Sequence, residues 1–131
     1  MSKKSTGTVV SPSYRDGLAL YERLVATIPE VERKGATMPY TSVNGNMFSL
    51  FTKEGTVALR LPDDERAAFL AKYRTRLTEQ YGAVMKEYVD VPNALLSNTR
   101  ALARYFAISY EYTKALRPKP TRRAAGAKKR R

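Results

Sequence analysis

Three groups of side chains in this 131-residue chain are of types, and at spacings, that could do chemistry. The first is a run of cations near the C-terminus: Arg117, Lys119, Arg122, Arg123, Lys128, Lys129, Arg130 and Arg131. These are eight positive charges in 15 residues, with no acid and no large apolar side chain among them. Lysine and arginine at that density neutralise phosphates and release counterions, which yields salt-sensitive, sequence-independent binding to DNA or RNA. A tail that only solvates the chain is the plainer alternative, and polyanion contact is the reading the charge density favours. The second group is Glu87 with Lys86 and Arg60. In strand phase Glu87 shares a face with Met85, Val89 and Val91, a carboxylate on an otherwise apolar surface that needs a partner. It marks either a small pocket lined by Glu87, Lys86 and Arg60 or, as favoured here, a sheet-rim position paired with a basic side chain. The third group, Asp63-Asp64-Glu65, suggests a divalent metal, but acids in the first turn of a helix account for it. No metal site and no cofactor are expected.

Two absences narrow the chemistry further. The chain has no histidine and no cysteine. That removes the usual general base, the commonest metal ligand, thiolate nucleophiles and disulfides. No glycine-rich phosphate loop, Walker pattern or nucleophile elbow is present. The expectation is a protein that is not an enzyme. Tyr105, Phe106, Tyr110 and Tyr112 precede the cationic run, and exposed aromatics there could stack on bases. Tyr105 and Phe106 fit an inward-facing helical stripe instead, which leaves Tyr110 as the one candidate for exposure.

The charge is segregated along the chain. Lys and Arg number 24 against 12 Asp and Glu, a formal +12. Residues 114–131 carry nine cations and no acid, and Lys3 and Lys4 add two more. Residues 5–113 hold 13 basic and 12 acidic side chains, a net charge of only +1. A near-neutral domain with cationic ends follows: a flexible lead-in over 1–10, one domain over 11–117 and a disordered basic tail over 118–131. The longest apolar run, residues 67–71, is far short of a membrane span, and the start lacks an apolar signal core. No membrane association and a cytoplasmic location are expected.

The elements that must position these groups follow from periodicity and turn chemistry. Ser11-Pro12 signals a helix start, and Tyr14, Leu18, Tyr21, Val25 and Ile28 recur as one helical face until Pro29. Asn44-Gly45 suits a tight hairpin turn between strands at residues 36–43 and 47–52, with Pro39 at an edge or bulge. A turn at Lys53-Glu54-Gly55 leads to a third strand, residues 56–61, with Val57, Leu59 and Leu61 on one face. Pro62 opens a second helix whose face runs through Phe69 or Leu70, Tyr73 and Leu77. Gly82 then leads to a fourth strand, residues 85–91. Leu95 and Leu96 lie in a short helical turn, and Asn98 caps a last helix that faces Leu102, Tyr105 or Phe106, Ser109, Thr113 and Leu116 inward. The predicted order is α-β-β-β-α-β-α: an α+β fold with a four-stranded antiparallel sheet and packed helices.

Read together, residues 43–51 (Val-Asn-Gly-Asn-Met-Phe-Ser-Leu-Phe), residues 57–66 with Phe69-Leu70, residues 85–92 with Leu95-Leu96, and the closing Leu-Arg-Pro-Lys-Pro at 116–120 resemble the TfoX N-terminal domain family. The resemblance covers about residues 14–120. It implies a small α+β domain with a curved antiparallel sheet. The family is named after a competence regulator, and most members have no assigned activity. Competence regulators carry a second, C-terminal domain where this chain has its basic tail, so a single-domain member is expected. The resemblance supplies no catalytic residues. Two functions remain open: an accessory or regulatory protein whose tail contacts nucleic acid without sequence preference, and a protein-interaction module, homodimeric or partner-docking, with the tail incidental. A small ligand-binding or catalytic domain around Glu87 ranks behind both.

Overall fold

The computed structural model describes residues 13–118, so the predicted lead-in and all tail cations beyond Arg117 lie outside the described residues. The first helix, α1 (Tyr14–Val25), starts at Ser13, whose Oγ accepts the Asp16 N–H at 3.1 Å. The predicted Ser11-Pro12 start is likewise outside the described residues. α1 buries Gly17, Tyr21, Leu24 and Val25 and stops one turn earlier than predicted. Thr27 and Ile28 follow in turn conformation, donating to the carbonyls of Leu24 and Val25. Gly17 lets α1 approach the sheet closely: a Cβ there would stand 3.1 Å from the Phe51 ring.

Five antiparallel strands form one sheet: β1 (Tyr40–Val43), β2 (Asn46–Phe51), β3 (Val57–Arg60), β4 (Leu77–Gln80) and β5 (Ala83–Asp90), in the order β1-β2-β3-β5-β4. The α+β class holds, while the expected four strands are corrected to five. β4 was hidden because Leu77 continues the spacing of Phe69 and Tyr73, as though still on the second helix. Instead α2 (Asp63–Tyr73) ends where Arg74 turns left-handed, at φ 51° and ψ 47°. Leu77 then pairs with Val89. β4 and β5 are joined by Tyr81-Gly82, both at positive φ, which matches Asn44-Gly45 between β1 and β2. Such two-residue turns suit the right-handed twist of the flanking strands. β1 is also shorter than the predicted strand. Pro39 cannot donate to a ladder and lies just before it, accepting the Phe51 N–H at 2.9 Å.

Two irregularities shape the sheet. Thr41 faces Ser49 but Ser42 faces Met47, so Phe48 is an extra residue in β2. A bulge lets two successive side chains reach the same face. Phe48 accordingly packs against Phe106 and Tyr110, at 5.4 and 5.6 Å between ring centroids, while Ser49 Oγ bonds Tyr21 Oη at 2.7 Å. In β5 the register jumps from Val89 opposite Leu77 to Met85 opposite Thr78, leaving residues 86–88 with no counterpart on β4.

The helices cover one face. α3 (Asn93–Leu96) and α4 (Thr99–Lys114) complete the layer, α4 capped as predicted by Asn98, whose side chain accepts the Ala101 N–H. The full order is α-β-β-β-α-β-β-α-α. The core joins Tyr21, Leu24, Phe48, Phe51, Leu59, Phe69, Val89, Leu102 and Phe106, all at most 1% exposed. On the opposite face Leu50, Ala58 and Tyr88 form a smaller cluster ringed by Met38, Tyr40, Met47 and Met85, and no helix residue belongs to it.

Candidate functional site

Among the three predicted pocket residues, the fold joins two. Arg60 ends β3 opposite Tyr88, and its Nε donates to Glu87 Oε1 at 2.7 Å. Its Nη1 donates to the Met47 carbonyl at 3.2 Å, and Tyr88 Oη donates to the same oxygen at 2.7 Å. The guanidinium also lies 5.9 Å from the Tyr88 ring centroid. One arginine therefore ties together β2, β3 and β5 where residues 86–88 of β5 have lost their partner on β4. Glu87 is 39% exposed and Arg60 21% at the side chain, so this is a rim ion pair screened by solvent. Lys86 is exposed and joins neither, with no ion pair among the described residues.

Glu87 also borders an open cleft of about 680 Å³ with Pro62, Asp63, Asp64, Glu65 and Tyr112. The three acids occupy the first turn of α2, as expected, and Arg66 Nη2 bonds Asp63 while its Nη1 donates to the Leu61 carbonyl. Among the described residues no group of three or more acidic side chains is arranged to hold a metal ion. Sequence reasoning missed Tyr112 as a wall of this cleft, because it stands on α4, 25 positions from Glu87. Its phenol is pushed above the ordinary range by burial first and by the Glu87 carboxylate next, with Arg60 pulling it back. The cleft is lined by four acids, of which Glu87 is paired with Arg60 and Asp63 with Arg66.

Tyr88 is held at about 12, raised by burial and lowered in part by Arg60. Tyr21 is likewise pushed up to about 12 by burial, against the hydrogen bonds from Ser49 and Thr41 that favour its ionised form. Tyr21, Ser49 and Thr41 make a buried chain of hydroxyls, with 2.6 Å between Thr41 Oγ1 and Ser49 Oγ. All three groups are fully buried, where their hydroxyls satisfy one another. They could not be read from sequence, since only the β2 bulge turns Ser49 inward.

Of the tail cations, only Arg117 is described. It is exposed, and its carbonyl accepts from Asn46 Nδ2 at 3.0 Å, so the end of the α4 segment is fastened to the start of β2. Asn44 Nδ2 does the same for the Lys114 carbonyl at 3.1 Å. Phe106 is buried as expected, and Tyr110, the candidate for base stacking, packs its ring edge on Phe48 with Lys114 Nζ 5.4 Å from its centroid. Tyr105 packs on Phe69 and Tyr73. Among the described residues no helix is long and apolar enough to cross a membrane. Comparison with protein-family models, with curated proteins and with solved structures finds no match for this chain.

Proposed function

We propose that this chain is a non-enzymatic domain of the TfoX N-terminal kind, an accessory or regulatory cytoplasmic protein whose basic C-terminal tail contacts nucleic acid without sequence preference. The observation that carries the reading is the division of charge: +1 over residues 5–113 against eight cations and no acid over 117–131. The fastening of the Lys114 and Arg117 carbonyls by Asn44 and Asn46 supports it, because the polycation then leaves from a defined point on the domain. The acidic lining of the Glu87 cleft makes it the less suitable face for a polyanion. The test is duplex-DNA binding by the full chain against a full-length variant with Lys119, Arg122, Arg123, Lys128, Lys129, Arg130 and Arg131 changed to glutamine. Loss of binding in the variant, with the parent weakening steeply as salt rises, is the expected result. Equal binding by both, or binding indifferent to salt, refutes it.

A second reading, a protein-docking or homodimeric module, draws on one specific feature. Met38, Met47 and Met85 all border the sheet face that no helix covers, and methionine surfaces adapt readily to partners. Sedimentation that finds a monomer at all concentrations would remove the homodimeric form of this reading.

A further inference from the structure

The near-neutral body is not neutral everywhere. No acid occurs in residues 66–78 or 91–110, and the fold brings these two stretches together where α2 ends beside α3 and the start of α4. A cleft of about 490 Å³ lies there, lined by Lys72, Tyr73, Arg74, Pro92, Leu95 and Asn98. Arg100 and Arg104 follow one turn apart on the exposed side of the same part of α4. We propose that this corner is a second phosphate-binding surface for nucleic acid, with Lys72, Arg74, Arg100 and Arg104 as its cations. The inference rests on the tail reading for the identity of the polyanion and adds a place for it on the folded domain.

Several observations converge on it. Arg33, Arg60, Arg66 and Arg76 each hold a carboxylate, whereas none of the four corner cations does so among the described residues. Their charge is therefore unspent within the domain. Lys72 Nζ stands 5.4 Å from the Tyr73 centroid, and the ring holds the ammonium near the cleft without neutralising it. Arg74 takes the left-handed backbone at the end of α2, a place where glycine is usual and an arginine is disfavoured. A non-glycine residue kept in that conformation beside a cleft is a pointer to function. The exposed large apolar side chains among the described residues, Tyr14, Tyr81 and Val84, lie elsewhere. The corner and the tail exit stand at opposite ends of α4, roughly 24 Å apart at 1.5 Å per residue. A duplex with a phosphate every 3.4 Å per strand spans that distance in about seven base pairs.

The experiment measures binding of a fluorescein-labelled duplex of about 20 base pairs to the full chain across about 50 to 200 mM salt. The corner variant is Lys72→Gln, Arg74→Gln and Arg104→Gln. A control variant, Arg15→Gln, Arg23→Gln and Lys53→Gln, has the same net charge and also changes only exposed side chains without a carboxylate partner. Each lost phosphate contact lowers the slope of log affinity against log salt by about one. The corner variant is expected to lose two to three of those (about one per cation) and about tenfold or more in affinity at the lowest salt, the control less than one. Equal weakening in both variants overturns the inference, since bulk charge then explains everything. If the tail variant loses binding while the corner variant matches the parent, the tail reading stands and the corner fails. If the corner variant alone loses binding, the corner stands and the tail reading fails. Corner-dependent binding to phosphatidylserine vesicles in preference to the duplex also overturns it.

Discussion

The helix-covered face of the sheet and the α2–α4 corner spend their polar groups in opposite ways. On the covered face Tyr21, Ser49 and Thr41 exhaust one another in a buried hydroxyl chain, and Ser109 Oγ donates to the Phe48 carbonyl at 3.0 Å. At the corner Lys72, Arg74, Arg100 and Arg104 meet no carboxylate among the described residues. The first arrangement specifies a fold, and the second leaves capacity for something outside the chain. A body whose charges nearly cancel can thus still present a strongly cationic surface, because cancellation is a property of composition and binding is a property of place.

Changes on the covered face should move stability and leave binding alone, and changes at the corner should move binding. The largest effect is expected from Phe48→Ala, which empties a fully buried site between Phe106 and Tyr110 and costs about 3–5 kcal/mol by urea unfolding. Duplex affinity, measured well below the melting temperature, should not change. Alkaline pH acts on the same scale. Tyr21 and Tyr88 stay protonated in the fold up to about 12, whereas in the unfolded chain they ionise at the ordinary 10.0. Their contribution is full below pH 10 and is lost between 10 and 12, by about 1.4 kcal/mol per pH unit for each phenol. Tyr88→Phe should remove about half of that decline in a series of melts. Thr113→Val is a smaller test in the opposite direction. Thr113 Oγ1 is buried with no hydrogen-bond partner among the described residues, so removing the hydroxyl at constant shape should stabilise the fold by about 1 kcal/mol. A loss of stability instead would mean the hydroxyl is satisfied. Smallest in free energy is Arg74→Gly. It relieves the left-handed backbone and should raise stability by about 0.5–1 kcal/mol while weakening duplex binding. Lower stability, or unchanged binding, would break the contrast at the corner.

How far these regions could be read from residue order differs for physical reasons. Asn44-Gly45, the Asn98 cap and the α4 stripe through Leu102, Phe106, Ser109 and Thr113 are local signals, and the fold keeps them. β4 was missed because two local cues mislead. α2 stops at an arginine, not at glycine or proline, and the β4–β5 turn uses Tyr81, an exposed aromatic at positive φ, where asparagine would be expected. The bulge at Phe48 leaves no mark in the alternation, since both neighbours of the shift end up buried. A basic partner for Glu87 at the sheet rim is expected from the sequence without its identity; the fold supplies Arg60, and Tyr112 enters only through tertiary packing. The two acid-free stretches that build the corner are plain in the sequence. Their meeting is not, because it depends on where α2 stops.

The most direct test of the account is amide mapping by NMR on the full chain as the duplex is added at low salt. The predicted result is large shifts at Arg117 and the tail residues, a second set at residues 72–74 and 98–104, and stillness at Tyr21, Phe48 and the Glu87 cleft. Shifts centred on the Glu87 cleft or on the Met38–Met47–Met85 face, or none at saturating duplex, would contradict it.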